Sequence, residues 1–260
     1  MSSLIMINGR DVQIALLAGG MGKRLGIDAP KCLLKIGNST ILDICVEGLI
    51  KNGFKDKEFI LMLGYKHEMV KEHVRDGERY GIKVKYSIDP KHSIGWGKGK
   101  AFKYALLNNT IDRSRRTLVT FPDDIMLEDG IYAKFMQDHL EAVSRYGVYA
   151  SITLIDKVEY PYGIAKLDDS SNIVEFIEKP MLSIPTSIGL YIFEPAVYSI
   201  IDEHVDMDNP KAVELESVIF PILAERGLLH GFIIDSNSWL PINTLKEYER
   251  AIKVLVNHTK

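Results

Sequence analysis

Apolar residues fall in short runs divided by polar turns along this chain. Val12 to Leu17 is the first run, of strand length, and reads as a buried strand. After Asn38-Ser39-Thr40, apolar residues at 41, 42, 45, 46, 49 and 50 repeat with helical spacing. The short polar side chains before them offer a helix cap, and Asn52-Gly53 a stop. Glu58 to Leu63 predicts a second strand and 66–79 a charged amphipathic helix. Ile82 to Ile88, apolar at 82, 84, 86 and 88, predicts a third strand. This β-α-β-α-β order predicts an α/β fold, doubly wound, with a parallel sheet and helices on both faces. Ligands of such sheets sit beyond the carboxyl ends of the strands.

The rest of the chain keeps the alternation. Three glycines at 95, 97 and 99 lead into a helix, with Lys98 and Lys100 read as solvated. An apolar strand from Thr117 ends in Asp123-Asp124. A helical pattern covers 128–145 and a strand 148–155. Segments 160–168 and 172–180 predict a strand pair joined by the polar turn Asp168 to Ser171. A strand over 185–193, a short helix over 196–202, a helix over 211–226, a strand over 229–234 and a last helix after Trp239 complete the pattern. There is no internal repeat, linker or low-complexity segment.

With 260 residues, 46% hydrophobic and 26% charged, the composition is that of an ordinary globular protein with a sizeable core. A net charge of −3 gives no basis for non-specific nucleic-acid binding, so an anionic ligand must be met by local cations. Cys32 and Cys45 make no disulfide framework; Cys45 belongs to an apolar helical face, and Cys32, beside Lys31, reads as packing. The apolar part of the first ten residues is too short for a signal peptide, and no run approaches the roughly 20 residues of a membrane span. A cytoplasmic protein without a membrane partner is the expectation.

The chemistry concentrates after the first strand. Gly19, Gly20 and Gly22 open a loop whose backbone N–H groups can face anionic oxygens, and Lys23, Arg24, Lys31 and Lys35 add cations. It is not a P-loop: Arg24 follows Gly22-Lys23, and Leu17 stands five positions before Gly22. The dinucleotide fingerprint fails as well, because Leu25 stands where its third glycine belongs. What remains is Leu-Ala-Gly-Gly-x-Gly-x-Arg-Leu over 17–25, followed by Pro30-Lys31. This block resembles the signature of the sugar-1-phosphate nucleotidyltransferases, the nucleoside-diphosphate-sugar pyrophosphorylases.

Further blocks extend the resemblance over nearly the whole chain. Phe121-Pro122-Asp123-Asp124 is close to the Leu-Pro-Asp turn of the family's uridylyltransferases, and its metal-binding aspartate falls on Asp123. Tyr162-Gly163 and Phe176 to Pro180 match a block in which Gly163 and Glu178 would contact the sugar and Lys179 its phosphate. The strand around Tyr191 matches another, with Ser187 where the family carries a sugar-binding asparagine. In the last block, Trp239 to Thr244, the second metal-binding aspartate falls on Pro241, which has no ligating side chain. Asn243, just before Thr244, is the candidate to help hold Mg²⁺ through its amide oxygen; the alternative is that it caps the final helix.

The resemblance implies a Rossmann-like nucleotidyltransferase fold with a mostly parallel, mixed sheet, a small sugar-binding β insertion, and a single catalytic domain over 1–260. It implies Mg²⁺ as cofactor and an NTP and a sugar 1-phosphate as partners, with UTP and glucose 1-phosphate the first choice. Ala18, Gly19, Gly20 and Gly22 would hold the nucleotide, with Gly95 and Gly97 against its base. Arg24, Lys31, Asp123 and Lys179 would carry catalysis. The acceptor phosphate is already anionic near neutral pH, so no general base is needed, and no nucleophile–base motif is found. Two alternatives stay open: a non-sugar acceptor such as phosphocholine, and a non-catalytic regulatory paralogue, which Pro241 and Ser187 motivate. A homo-oligomer also stays open.

Overall fold

The computed structural model describes residues 12–22, 25–26, 28–90 and 95–257. Strand β1 (Val12–Leu17) is followed by the short strands β2 (Lys35–Ile36) and β3 (Ser39–Thr40), helix α1 (Ile41–Leu49), β4 (Glu58–Leu63), α2 (His67–Val74), β5 (Lys83–Ile88) and α3 (Gly97–Leu107). Then come β6 (Arg116–Thr120), β7 (Asp124–Met126), α4 (Ile131–Tyr146), β8 (Ala150–Ile155) and the small strands β9 (Val158–Glu159), β10 (Ile164–Leu167), β11 (Ile173–Ile177) and β12 (Met181–Leu182). The chain continues through β13 (Thr186–Phe193), α5 (Ala196–His204), α6 (Leu215–Glu225), β14 (Leu229–Ile234), β15 (Trp239–Pro241) and α7 (Leu245–Asn257).

Seven strands form the central sheet in the order β14-β8-β13-β6-β1-β4-β5. All its pairings are parallel except those of β13, which runs antiparallel to both β6 and β8. The mixed, mostly parallel sheet expected above is therefore present, and it changes winding direction between β1 and β6. The alternation within β1 shows why both faces are covered. Val12, Ile14 and Leu16 pack with α1, α2 and α4 on one face, and Ala15 packs with α3, α5 and α6 on the other. A third cluster, including Ile125, Leu240, Ile242 and Ala251, seats α7 on β7 and β15.

Local chemistry sets the boundaries. Thr40 caps α1 in a reciprocal box with Asp43, and Gly53 turns the chain at φ 88°. The helix expected over 66–79 ends at Val74, and Gly77 takes φ 92° beside the Ile82 carbonyl, where a Cβ would clash. The helix expected over 211–226 begins only at Leu215, because the residues before it serve α3 instead. The Val213 carbonyl accepts the Gly99 N–H at 2.8 Å and the Glu214 carboxylate accepts the Lys98 N–H at 3.0 Å. Both are first-turn donors of a helix with no side-chain cap of its own. Strands β10 and β11 form an antiparallel hairpin whose residues are all exposed, in the place of the expected β insertion. Among the described residues no helix is long and apolar enough to cross a membrane.

Candidate active site

The ends of β1, β4 and β5 are tied together by backbone hydrogen bonds. The Ala18 N–H donates to Met62 (2.9 Å), the Tyr65 N–H to Gly19 (3.4 Å) and the Asp89 N–H to Leu63 (2.8 Å). Gly19 and Gly64 make the close approach of the first two loops: a Cβ on Gly19 would stand 3.1 Å from the Gly64 nitrogen. The glycine loop returns to the sheet where the Lys31 N–H donates to the Gly20 carbonyl at 3.3 Å. Arg24 lies outside the described residues.

On the other side of the change in winding, β6 ends and the chain turns tightly, with the Asp124 N–H donating to the Phe121 carbonyl at 3.0 Å. Strand β7 then pairs antiparallel with β15, Asp124 opposite Pro241, and the Ile242 N–H donates to the Asp123 carbonyl at 2.9 Å. This ribbon carries Asn243 to Asp123, although 120 residues separate them in sequence. The Lys31 ammonium sits between the two, donating to the Asp123 carboxylate and, at 3.0 Å, to the Asn243 amide oxygen. The final helix is capped without Asn243's side chain. Glu247 accepts the Asn243 and Thr244 N–H groups at 2.7 and 2.8 Å, and the Thr244 hydroxyl accepts the Glu247 N–H at 3.3 Å.

Asp124 faces the opposite way. Its carboxylate accepts the Trp239 indole N–H at 2.7 Å and lies against Gly189 of β13. Burial and the neighbouring Asp123 charge raise its pKa. Gly189 has no room for a side chain beside Asp124 and Phe121, and the β13–β8 register breaks across it.

A cavity of about 650 Å³ runs along these strand ends. Ala18, Gly19, Gly20, Lys31, Gly95, Gly97 and Asp123 line it, as do Tyr65, Asp89, Trp96 and Lys98. Gly22, at φ 61°, and Asn243 lie outside that lining, as do Gly163, Glu178, Lys179 and Ser187. Gly95 has open space around it, whereas the place of a Gly97 Cβ is taken by the Val213 carbonyl, 2.6 Å away. Gly97 is thus required by the chain's own packing besides bordering the cavity. On the hairpin Gly163 is close to Glu178, whose Oε2 would lie 2.9 Å from an added Cβ, while Lys179 turns the strand end at φ 46° and Ser187 is exposed.

Sequence reading missed part of this site. Lys98 is not a solvated lysine: its ammonium pairs with Glu216 and lies 3.8 Å from Glu214, over the Phe121 ring. Lys100 is 2% exposed and donates to the Asn209 carbonyl. Asp89 carried no motif, yet its Oδ1 is buried with no hydrogen-bond partner among the described residues, and burial raises its pKa to about 6. Cys32 is 4% exposed at the edge of the cavity, and burial pushes its thiol up to about 12.

Two hard oxygen donors, Asp123 Oδ2 and Asn243 Oδ1, already share one cation, the lysine ammonium. That donor set suits Mg²⁺, which takes one or two protein oxygens and completes its shell with phosphates and water. Among the described residues no three His, Cys, Asp or Glu side chains converge on one point. A metal here would therefore depend on ligand phosphates.

Residues 14–257 match the family model described as nucleotidyl transferase. The chain is 30% identical over 231 residues to the low-salt glycan biosynthesis nucleotidyltransferase Agl11 of Haloferax volcanii, covering 85% of this chain and 58% of that one. It is 25% identical to a UTP–glucose-1-phosphate uridylyltransferase of Synechocystis, over 92% of this chain and 62% of the other. A mannose-1-phosphate guanyltransferase of Pichia angusta is 27% identical, over 90% of this chain and 61% of its own length. The chain thus spans about three fifths of these relatives. Among solved structures, HddC from Yersinia pseudotuberculosis superposes with a TM-score of 0.67 at 22% identity, covering 94% of this chain and 99% of that one. A Bacillus anthracis structure holding sucrose gives 0.69 at 22% identity, over 94% of both chains. These two likenesses bear on the fold.

Proposed function

Because this chain belongs to the nucleotidyl transferase family, among the sugar-1-phosphate nucleotidyltransferases, we propose that it moves a nucleoside monophosphate from a nucleoside triphosphate onto a hexose 1-phosphate, releasing pyrophosphate. The observation that carries this reading is the Lys31 ammonium held between Asp123 and Asn243, where the cavity of the glycine loop meets the end of β6. An oxygen of the acceptor phosphate attacks the α-phosphorus in line. The new O–P bond forms as the bond to the β-phosphate oxygen breaks, and pyrophosphate leaves with that electron pair. The attacking oxygen is already anionic, so catalysis is positioning and charge compensation.

The backbone of Gly19, Gly20 and Gly22 cradles the phosphates and Arg24 neutralises the leaving pyrophosphate. Lys31 bridges the α-phosphate and the acceptor. Asp123 and Asn243 would hold Mg²⁺, which when bound would supply electrostatic stabilisation of the phosphate oxygens. Glu178, Gly163 and Ser187 meet the sugar and Lys179 its phosphate. The acceptor expected from the sequence is glucose 1-phosphate and the expected donor UTP; mannose 1-phosphate and GTP enter through the named relatives. The test is pyrophosphate release in the presence of Mg²⁺, with each common nucleoside triphosphate crossed with the glucose, mannose, galactose and N-acetylglucosamine 1-phosphates. Release with one pair supports the reading. A folded protein that releases none with any sugar 1-phosphate overturns it, and release with phosphocholine in place of the sugar would identify the other acceptor class.

A further inference from the structure

Every residue of strands β10 and β11 is exposed. A two-stranded ribbon with no face packed against the rest of a protein is marginal in water. This ribbon is also apolar: Leu167, Ile173, Val174 and Phe176 are 55–62% exposed. Exposed apolar surface gathered on one element marks an interaction site. The two faces of the ribbon differ. Gly163, Phe176 and Glu178 share one face, since a Cβ on Gly163 would meet both of the other side chains. Successive side chains alternate across a strand, so Ile164, Lys166, Glu175 and Ile177 share the other. On that face Ile164 stands opposite Ile177, and Lys166 opposite Glu175. Neither Lys166 nor Glu175 forms an ion pair among the described residues.

Such a face is complementary to itself. A two-fold axis parallel to the strands lays Lys166 of each copy on Glu175 of the other, and Ile164 on Ile177. The apolar side chains at 164, 167, 173, 174, 177 and 181, each about half exposed, offer with the charged pair on the order of 700 Å²; each partner gives roughly 800 Å² to a standard stable interface. We propose that this face of the hairpin is the contact between two copies of the chain, and that the second copy, by holding the ribbon in place, completes the sugar site on the opposite face. The self-association stands on the ribbon alone; its link to the sugar rests on the nucleotidyltransferase reading.

The test is sedimentation equilibrium of the intact chain from nanomolar to high micromolar concentration, for the wild type, Lys166→Glu, Glu175→Lys and an equimolar mixture of the two variants. The wild type should show the mass of two chains. Either substitution alone sets like charges against each other twice across the axis, and should make the pair dissociate roughly 10–100-fold more readily. In the mixture every contact across the axis again joins opposite charges, while the pairing within each ribbon stays broken. The mixture should therefore regain wild-type association, a recovery that a merely structural role within the ribbon would not give. Both positions are exposed on the single chain, so circular dichroism should find each variant folded, and the wild-type mass decides the matter even where one is not. A wild type that sediments as one chain throughout would overturn the proposal, as would a two-chain mass that neither variant alters or a mixture no more associated than its components. On dilution to single chains the KM for the sugar 1-phosphate should rise while nucleotide binding holds. An unchanged KM would overturn the link to the sugar site. A chain that pairs but releases no pyrophosphate with any sugar 1-phosphate would overturn the nucleotidyltransferase reading and leave the association standing.

Discussion

Gly189→Ala is the substitution with the sharpest expected consequence. Gly189 lies in β13, and its carbonyl accepts the Phe121 N–H at 3.3 Å as the chain enters the turn toward Asp123. An added Cβ would fall on the Asp124 carboxylate and the edge of the Phe121 ring. The carboxylate cannot step aside freely, because the Trp239 indole holds it at 2.7 Å. Overpacking of this kind costs about 1–3 kcal/mol, and giving up a hydrogen bond to a charged group adds about 1.5–3 kcal/mol. A chain of this size loses about 2–4 °C of melting temperature per kcal/mol, so a fall of roughly 5–20 °C follows. Thermal unfolding followed by circular dichroism measures it. Adding Asp124→Ala to Gly189→Ala should recover part of the loss, because the two substitutions share one clash. A Gly189→Ala protein melting within 1 °C of wild type, or a double variant whose losses simply add, would refute the assignment of Gly189 to the Asp124 contact.

Lys31→Ala and Asp123→Ala should each lower kcat by roughly 10²–10³, as removal of a transition-state electrostatic contact does; near wild-type turnover at saturating substrate and Mg²⁺ would contradict the roles given them. Asp89 should make the ligand-free protein pH-sensitive. Its pKa is about 6 folded and near 3.8 unfolded, so its favourable contribution is complete below pH 3.8 and lost as pH rises through 6. Melts of wild type against Asp89→Asn from pH 3.5 to 8 should diverge over that window, to at most about 3 kcal/mol; parallel curves would exclude it. Cys32 and Cys45, both raised to about 12 by burial, should stay unlabelled by a thiol reagent at pH 8 in the folded protein and react on unfolding.

The elements that were legible in the sequence are those whose cause is local. Strands β1, β4 and β14 have the bounds their apolar runs predict, because glycine or polar residues soon follow each of them. Thr40 announces α1 because its capping partner Asp43 stands three residues away. What stayed hidden depends on distant neighbours. Residues 211–214 continue a helical pattern, but Val213 and Glu214 are taken up by the first turn of α3, more than 110 residues earlier. Lys98 and Lys100 read as surface charge because nothing nearby in sequence points to Glu216 or Asn209. Asp89 was silent because its one distinguishing property, a buried oxygen without a donor, exists only once the ends of β4 and β5 stand side by side. Asn243 is singled out by its offset from Thr244, and the structure brings it to Lys31. Its alternative role as a cap could be set aside only when Glu247 was seen to satisfy the same N–H groups.

The most direct test of the account follows the products of the wild type, Lys31→Ala and Asp123→Ala by phosphorus NMR, with Mg²⁺, a nucleoside triphosphate and a hexose 1-phosphate supplied together. The account predicts that wild type forms a nucleoside-diphosphate-sugar and pyrophosphate in equal amounts, and that both variants form neither at a comparable rate. Pyrophosphate appearing without a sugar nucleotide, or equal product from Asp123→Ala, would contradict it.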